Sequence, residues 1–203
     1  KAELLALEYL KLKGIKVSDV RTKAILKGTL KRPDFVFEDT FIEIKSNYIK
    51  FLEDFPQQCR EALALPKGMA VSGKAERTVV CGVGGSAIGG DLLKAYMSNT
   101  KMPVCVCRSY ELPKFVDEKT LVFCISYSGD TEETLSCFRQ ALEKRANVWT
   151  ISSGGELSAA SSRNIKVPSG LPPRAALGYL FFPMLGLLYN SGLIEVSNAD
   201  LNE

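Results

Sequence analysis

The chain has 203 residues and a mass of 22.2 kDa, with 46% hydrophobic residues, 24% charged residues and a mean hydropathy of +0.03. These proportions are typical of globular proteins and exclude collagen, coiled-coil and intrinsically disordered chains. The net charge is only +3, and both signs are spread along the chain, so nucleic acid and membranes are not favoured as partners. No apolar run approaches the roughly 20 residues that a membrane-spanning helix needs.

Two residue counts restrict the chemistry. The chain contains no histidine, which excludes histidine-based catalytic triads and most zinc sites. It contains six cysteines but no Cys-x-x-Cys pair, and four of them (Cys81, Cys105, Cys107 and Cys124) lie in apolar runs typical of buried strands. We therefore expect reduced thiols that fill the core of a cytoplasmic protein.

Residues 1–46 are predicted to form a small α+β extension. A helix is expected at 2–13, followed by strands at 24–30, 34–37 and 40–44, with Glu38 and Asp39 in a tight turn. Asp34, Glu43 and Lys45 resemble the PD-(D/E)xK motif of restriction-endonuclease-like nucleases, in which the two carboxylates share Mg²⁺. The alternative is ordinary cross-strand charge. The segment is shorter than a complete nuclease core, so we expect no activity from it.

Residues 47–203 are predicted to form a second, α/β domain. It opens with a helix over 47–65 that Pro56 interrupts. Apolar strands without polar alternation follow, separated by helices, which predicts a parallel sheet covered on both faces. The strands are expected at 79–83, 104–108, 121–126, 148–152 and 165–167, and the intervening helices at 86–97, 131–145 and 157–162. The fold class is therefore a doubly wound, flavodoxin-like, five-stranded parallel sheet with a ligand crevice at the carboxyl ends of its strands.

The loop after the first of these strands is rich in glycine. Gly82-x-Gly84-x-x-Ala87 satisfies a dinucleotide-binding fingerprint, and glycines at a helix start also let backbone N–H groups approach a phosphate. A tight turn without any ligand would have the same sequence. This loop alone therefore leaves three interpretations open.

The loop after the third strand favours a phosphate. Ser126, Ser128 and Thr131 place three hydroxyls at a predicted helix start, whereas helix capping by Asp130 or Thr131 would explain only one of them. A dinucleotide site would also require an acidic residue at the end of the second strand, where Arg108 stands and Glu111 is poorly placed. The phosphate of a small sugar is the better match, although an NADP-type arginine stays an alternative.

Two further segments are expected at the same crevice. Residues 152–157 follow the fourth strand and contain two glycines, and Arg174 follows two prolines at the start of an apolar helix over 175–189. A rigidly held arginine suits sugar oxygens or the charge of a transition state. An ordinary exposed arginine is the alternative.

Together the four segments resemble a known family. The residues at 84–86, 126–131, 154–157 and 173–177 are similar to the amino-terminal sugar-isomerase (SIS) domain of bifunctional phosphoglucose/phosphomannose isomerases. The resemblance implies that Arg174 lies beside the isomerising carbons and that Gly85 gives the sugar close backbone approach. It further implies a phosphate and substrate site formed by Gly84, Ser86, Ser126, Tyr127, Ser128, Gly129 and Thr131. It implies neither a metal nor an organic cofactor.

The departures from this family are as informative as the match. Members have a second SIS domain that supplies the catalytic glutamate, a ring-opening histidine and a lysine, none of which this sequence provides in the matching region. The acids near the predicted crevice are Asp130, Glu132, Glu133 and Glu156, and none is a convincing base. We therefore expect a chain that binds sugar phosphate but is catalytically incomplete alone.

The sequence leaves three candidate functions. The first is isomerisation of glucose 6-phosphate or mannose 6-phosphate to fructose 6-phosphate. The second is a regulatory SIS module that binds a sugar phosphate without turnover, and the third is a metal-dependent nuclease fused to an SIS domain. The helix over 175–189 is apolar on all sides, so we also expect it to contact a second SIS domain or a dimer mate.

Overall fold

A computed structural model describes residues 35–37, 40–42 and 53–195, with side chains in the last range. The chain divides into two units, residues 1–54 and 55–203. In the first unit, strands β1 (Phe35–Phe37) and β2 (Thr40–Ile42) pair antiparallel, as predicted for this stretch. The predicted helix at 2–13, the strand at 24–30, the nuclease-like residues Asp34, Glu43 and Lys45, and the 46/47 boundary lie outside the described residues.

A five-stranded parallel sheet forms the centre of the second unit, which confirms the predicted fold class. Its strands are β3 (Arg77–Cys81), β4 (Val104–Cys107), β5 (Thr120–Ile125), β6 (Asn147–Ser152) and β7 (Asn164–Lys166). They lie in the order β4-β3-β5-β6-β7, and all neighbours are parallel. This is the flavodoxin-like order, in which ligands bind where the strand order reverses. Here that switch point lies between the carboxyl ends of β3 and β5.

Helices cover both faces of this sheet. They are α1 (Phe55–Ala64), α2 (Gly85–Tyr96), α3 (Glu132–Glu143), α4 (Gly155–Ala160) and α5 (Leu177–Asn190). Alternation along β5 divides the core in two, because Phe123 packs with residues of α1, α2 and α5, whereas Cys124 packs with residues of α3 and α4. Burial on both faces explains why the strands lack polar alternation.

Helix α1 begins at Phe55, and Pro56 does not interrupt it. Proline is tolerated in the first turn of a helix, where its missing N–H would have had no partner. Glu53 is helical and Asp54 is a turn residue, so the predicted interruption falls directly before this helix, and the proline lies in its first turn. Residues 47–52, which the prediction also included, lie outside the described residues.

Helix α5 is buried largely within its own unit, which corrects the expectation that another subunit must cover it. Leu180, Met184, Leu187 and Leu188 are fully buried. Helix α1 packs closely against α5, since a Cβ atom on Gly186 would lie 2.6 Å from the Leu63 carbonyl oxygen. Neither α5 nor any other helix in the described part of the chain is long and apolar enough to span a bilayer.

Helix α2 carries the exposed apolar surface instead. Ile88, Leu92 and Tyr96 are 48%, 40% and 43% exposed and recur every four residues, so they lie on one helix face. The opposite face packs tightly against the sheet, because a Cβ atom on Gly90 would lie 2.9 Å from the Val80 Cγ1 atom. The exposed stripe formed by Ile88, Leu92 and Tyr96 is called the α2 stripe below.

Candidate functional site

The loop after β3 starts helix α2 with free backbone donors. Gly84 is the N-cap residue with φ of 56°, a left-handed value that favours glycine, and no side chain caps the helix. The first intrahelical bond joins the Ile88 amide to the Gly84 carbonyl oxygen at 3.2 Å. The Ser86 amide already donates to the Val83 carbonyl oxygen at 3.2 Å, whereas the Gly85 and Ala87 amides can donate to an anion at the positive end of the helix.

Packing explains a further glycine of this loop. A Cβ atom on Gly82 would lie 3.0 Å from the Ser86 Cβ and 3.1 Å from the Ile125 carbonyl oxygen. Gly82 therefore lets the loop pack against β5 and the start of α2. Gly84 is exposed, Gly85 is half-buried and Ser86 is buried at the first turn of α2.

The loop after β5 gathers the three predicted hydroxyls into one cluster. The Ser126 hydroxyl lies 2.8 Å from the Thr131 hydroxyl and 3.4 Å from the Ser128 hydroxyl. Ser126 is buried, Thr131 is half-buried and Ser128 is exposed, so the cluster reaches from the core to the surface. The Gly129 amide donates to Ser126 Oγ at 3.0 Å, which fixes the buried hydroxyl in place.

These hydroxyls do not cap helix α3. Thr131 is the N-cap residue, yet its side chain makes no capping hydrogen bond to the helix. The proposed alternative, capping by Asp130 or Thr131, is therefore wrong for both residues. The positive end of α3 is left next to three hydroxyl groups, an arrangement suited to phosphate oxygens.

Tyr127 and Gly129 hold this loop against its neighbours. The Tyr127 hydroxyl donates to the Pro168 carbonyl at 2.9 Å and accepts from the Leu171 amide at 2.9 Å. It is therefore used both as a donor and as an acceptor within the protein. Gly129 has φ of 87°, and a Cβ atom there would lie 1.8 Å from the Gly154 carbonyl oxygen. The loop after β6 thus packs directly on the loop after β5.

The acids near the loops are engaged elsewhere. Asp130 accepts from the Glu156 amide at 2.8 Å and so caps α4, while Glu156 pairs with Arg139 at 2.5 Å. Glu132 accepts from the Tyr110 hydroxyl at 3.1 Å. Of the four acids singled out from the sequence, only Glu133 has no such hydrogen bond within the described residues. The expectation that none is a convincing base is thus supported for Asp130, Glu132 and Glu156, and it stays a prediction for Glu133.

The turn that carries Arg174 lies against the start of α2. Residues Pro173–Ala176 form one turn of 3-10 helix, and a Cβ atom on Gly85 would lie 3.5 Å from the Pro173 carbonyl oxygen. Gln58, buried on α1, fixes this turn by donating to the Ala175 carbonyl at 2.9 Å and accepting from the Gly178 amide at 2.8 Å. Arg174 itself is exposed. No local sequence pattern indicates the role of Gln58, because that role depends on a contact with a residue 117 positions away.

Below the loops, all six cysteines are free, and three of them meet. The Sγ atoms of Cys81, Cys107 and Cys137 lie within 4.8 Å of one another. Hydrogen bonds from Cys137 and Cys81 to the Cys107 sulfur lower the pKa of Cys107 below that of an ordinary thiol. Hydrogen bonding to Cys107 is also the main cause that raises the pKa of Cys137.

The sequence comparisons find several similar enzymes. No protein-family model matches the chain. A bifunctional phosphoglucose/phosphomannose isomerase of Caldicellulosiruptor bescii is 45% identical over 158 residues, which are 74% of this chain and 47% of the relative. Another of the same name, from Thermoplasma volcanium, is 41% identical over 63% of this chain and 41% of its own length. The chain thus spans less than half the length of these relatives.

The structural comparisons establish the fold. A candidate phosphosugar isomerase from Clostridium difficile matches with a TM-score of 0.60 and 18% identity over 76% of this chain and 49% of that chain. The Vibrio vulnificus NanR protein, complexed with ManNAc-6P, matches with a TM-score of 0.51 and 20% identity over 72% of this chain and 61% of that chain. The sheet and its helices are therefore of the SIS type.

Proposed function

We propose that residues 55–203 bind a sugar phosphate and supply one half of an aldose–ketose isomerase. The observation that carries this proposal is the Ser126–Ser128–Thr131 hydroxyl cluster beside the uncapped start of α3. It lies at the switch point of the sheet, next to the uncapped start of α2. The relatives named phosphoglucose/phosphomannose isomerase support the reaction and make glucose 6-phosphate, mannose 6-phosphate and fructose 6-phosphate the first substrates to test.

Hydroxyl groups, backbone amides and Arg174 have different roles in this proposal. Ser128 and Thr131 donate hydroxyl protons to phosphate oxygens, while Ser126 holds both hydroxyls in place from the core. Gly85 and Ala87 bring backbone donors of α2 toward the same anion. Arg174, on the turn packed against Gly85, stabilises the negative oxygen that develops when a proton moves between C1 and C2.

The proton transfer itself needs a base from outside residues 55–203. Moving a proton between adjacent sugar carbons requires a general base within hydrogen-bond reach of the substrate. Asp130, Glu132 and Glu156 are each engaged by another group, as described above. We expect the base in a second SIS domain or a dimer mate, and no measurable turnover from this chain alone.

The α2 stripe is the surface on which we place that second domain or subunit. Ile88, Leu92 and Tyr96 expose apolar area on the helix that begins at the proposed phosphate site. A partner on this face would lie close to the substrate and could contribute catalytic groups. Ile88→Glu should then reduce association in sedimentation experiments, whereas Leu142→Glu, on exposed α3 surface, should not.

A thermal-shift experiment separates the ligand classes. Glucose 6-phosphate, mannose 6-phosphate and fructose 6-phosphate should each raise the melting temperature of the chain, with no effect of EDTA. The shift should become smaller in Ser128→Ala and stay unchanged in Ser136→Ala, which removes a hydroxyl from the same helix region away from the crevice. A shift with NADP and none with the sugar phosphates would contradict the proposal. It would indicate instead that the glycine-rich loop after β3 binds a dinucleotide.

A second candidate function is sugar-phosphate binding without turnover. The engaged acids at the loops favour it for the isolated chain, and the similar fold of NanR is seen complexed with ManNAc-6P. A coupled isomerase assay on the chain mixed with the remaining part of a relative would decide. Turnover that depends on Arg174 supports the isomerase, and binding with no turnover in any combination supports the module.

A further inference from the structure

Three cysteines from three different elements converge below the crevice. Cys81 ends β3, Cys107 ends β4 and Cys137 lies in the middle of α3. All three side chains are buried, and the Cys107 and Cys137 sulfurs are 3.9 Å apart. The first two positions follow from the strand register, which pairs Cys81 with Cys107.

Two of these thiols donate hydrogen bonds to backbone carbonyl oxygens. Cys137 Sγ lies 3.2 Å from the Ser109 carbonyl oxygen, and Cys107 Sγ lies 3.3 Å from the Glu111 carbonyl oxygen. Within residues 53–195, the group of mutually close ligand atoms contains these three sulfurs and no carboxylate. The two carbonyls belong to the exposed segment 108–111, so the group lies beside a solvent-exposed part of the chain.

We propose that Cys81, Cys107 and Cys137 form a trigonal thiolate site for a soft monovalent cation, Cu(I). Thiolate ligands select soft ions, and an all-sulfur set without oxygen or nitrogen ligands disfavours Mg²⁺, Ca²⁺ and Mn²⁺. Structural zinc sites almost always have four ligands in a tetrahedron, one more than this group supplies. Each thiol that ligates the ion releases its proton to solvent, and the copper enters and stays in the reduced state.

The ion would add a direct link between α3 and the hydrogen-bonded strand pair β3 and β4. Cys81 immediately precedes Gly82, whose amide donates to the Cys107 carbonyl at 3.1 Å. A bound ion would therefore cross-link β3, β4 and α3 directly beneath the loop that starts α2. Because the ion binds the folded chain, it should raise the melting temperature in proportion to the logarithm of its free concentration.

The test is an anaerobic titration of the reduced full chain with Cu(I), in competition with a chromogenic chelator such as bicinchoninate. We expect one ion per chain, and X-ray absorption should report three sulfur neighbours. Cys107→Ser and Cys137→Ser should each weaken binding by about 100-fold or more, since altering outer-sphere partners alone costs up to about that factor. Cys105→Ser is the matched control, because Cys105 packs against the same buried cluster but lies outside the group.

The absorption measurement on the unsubstituted chain keeps the proposal testable if a serine variant fails to fold. Two sulfur neighbours, or binding that is lost in Cys59→Ser and kept in Cys137→Ser, would overturn it. So would Zn²⁺ binding with four sulfur neighbours in a chain that does not compete for Cu(I). None of these outcomes depends on whether the chain binds a sugar phosphate.

Discussion

The loops after β3 and β5 face the same switch point but are built in opposite ways. The loop after β3 exposes glycine backbone, with Gly84 and Gly85 at the start of α2 and no capping side chain. The loop after β5 presents side chains, with the hydroxyls of Ser126, Ser128 and Thr131 linked to one another. One loop thus offers an anion its amides, and the other offers it hydroxyl groups.

This difference determines which substitutions impair ligand binding at each loop. A site made from the backbone amides of glycines has no side chains to remove, so its binding is impaired only by added atoms that block the ligand. A site made from hydroxyl groups loses binding when a single oxygen atom is removed. Substitutions can therefore separate the contributions of the two loops.

The largest effect is expected where a glycine serves packing rather than binding. Gly129→Ala should lower the free energy of unfolding by about 3 kcal/mol or more, because φ is 87° and the new Cβ would meet the Gly154 carbonyl oxygen. Gly73→Ala has a similar φ of 79° and open space, so strain alone should cost about 1 kcal/mol. Urea unfolding measures both, and equal losses would show that the contact between the loops is unimportant.

Adding a methyl group to the loop after β3 should impair binding more than folding. Gly85 has no left-handed φ, and its new Cβ would make only an ordinary 3.5 Å contact with the Pro173 carbonyl oxygen. Gly85→Ala should therefore change stability by less than about 1 kcal/mol. It should weaken sugar-phosphate binding by about 30-fold, or about 2 kcal/mol, in calorimetric titration. Unchanged affinity would mean that no ligand approaches this backbone.

Removing one hydroxyl from the loop after β5 should have the complementary effect. Ser128→Ala should weaken sugar-phosphate binding by about tenfold, the loss of one charge-assisted hydrogen bond of about 1.5 kcal/mol. Its stability should hold because Ser128 is exposed. Ser126→Ala should lose both affinity and stability, since Ser126 is buried and also accepts from the Gly129 amide. If the two variants behave alike, the division between surface and core hydroxyls is wrong.

The smallest effect concerns the support of the Arg174 turn. The Tyr179 hydroxyl donates to Glu61 at 2.6 Å, and burial together with this hydrogen bond raises the pKa of Tyr179 from 10.0 to about 12. A pKa raised in the folded state adds stability below pH 10 that is lost as pH rises toward 12. Tyr179→Phe should lower the melting temperature by about 2 °C at pH 8. That difference should shrink between pH 10 and 12, and a constant difference would contradict the account.

Most of the fold could be predicted because its signals are local. The strands around Val80 and Phe123 are continuous apolar runs, and their predicted ends differ from the observed ones by one or two residues. The hydroxyls of Ser126, Ser128 and Thr131 could be predicted to cluster because they lie within six residues. In each case, neighbours in sequence carry the information.

The remaining features depend on contacts that are distant in sequence. Asp130 caps α4 rather than α3, which follows from how two loops pack and not from its position before a helix. Residue composition shows neither that α1 covers Gly186 nor that Ile88 is left exposed. Cys137 meets Cys81 only because α3 crosses the ends of two strands.

The most direct test of the sugar-phosphate site is a map of backbone amide NMR shifts during titration with fructose 6-phosphate. We expect the largest changes at residues 84–88 and 126–134, and inorganic phosphate should reproduce the changes at both helix starts. Changes near Arg174 should require the sugar. Shifts confined to other parts of the chain, or none at millimolar ligand, would contradict the proposal that these two loops form the phosphate site.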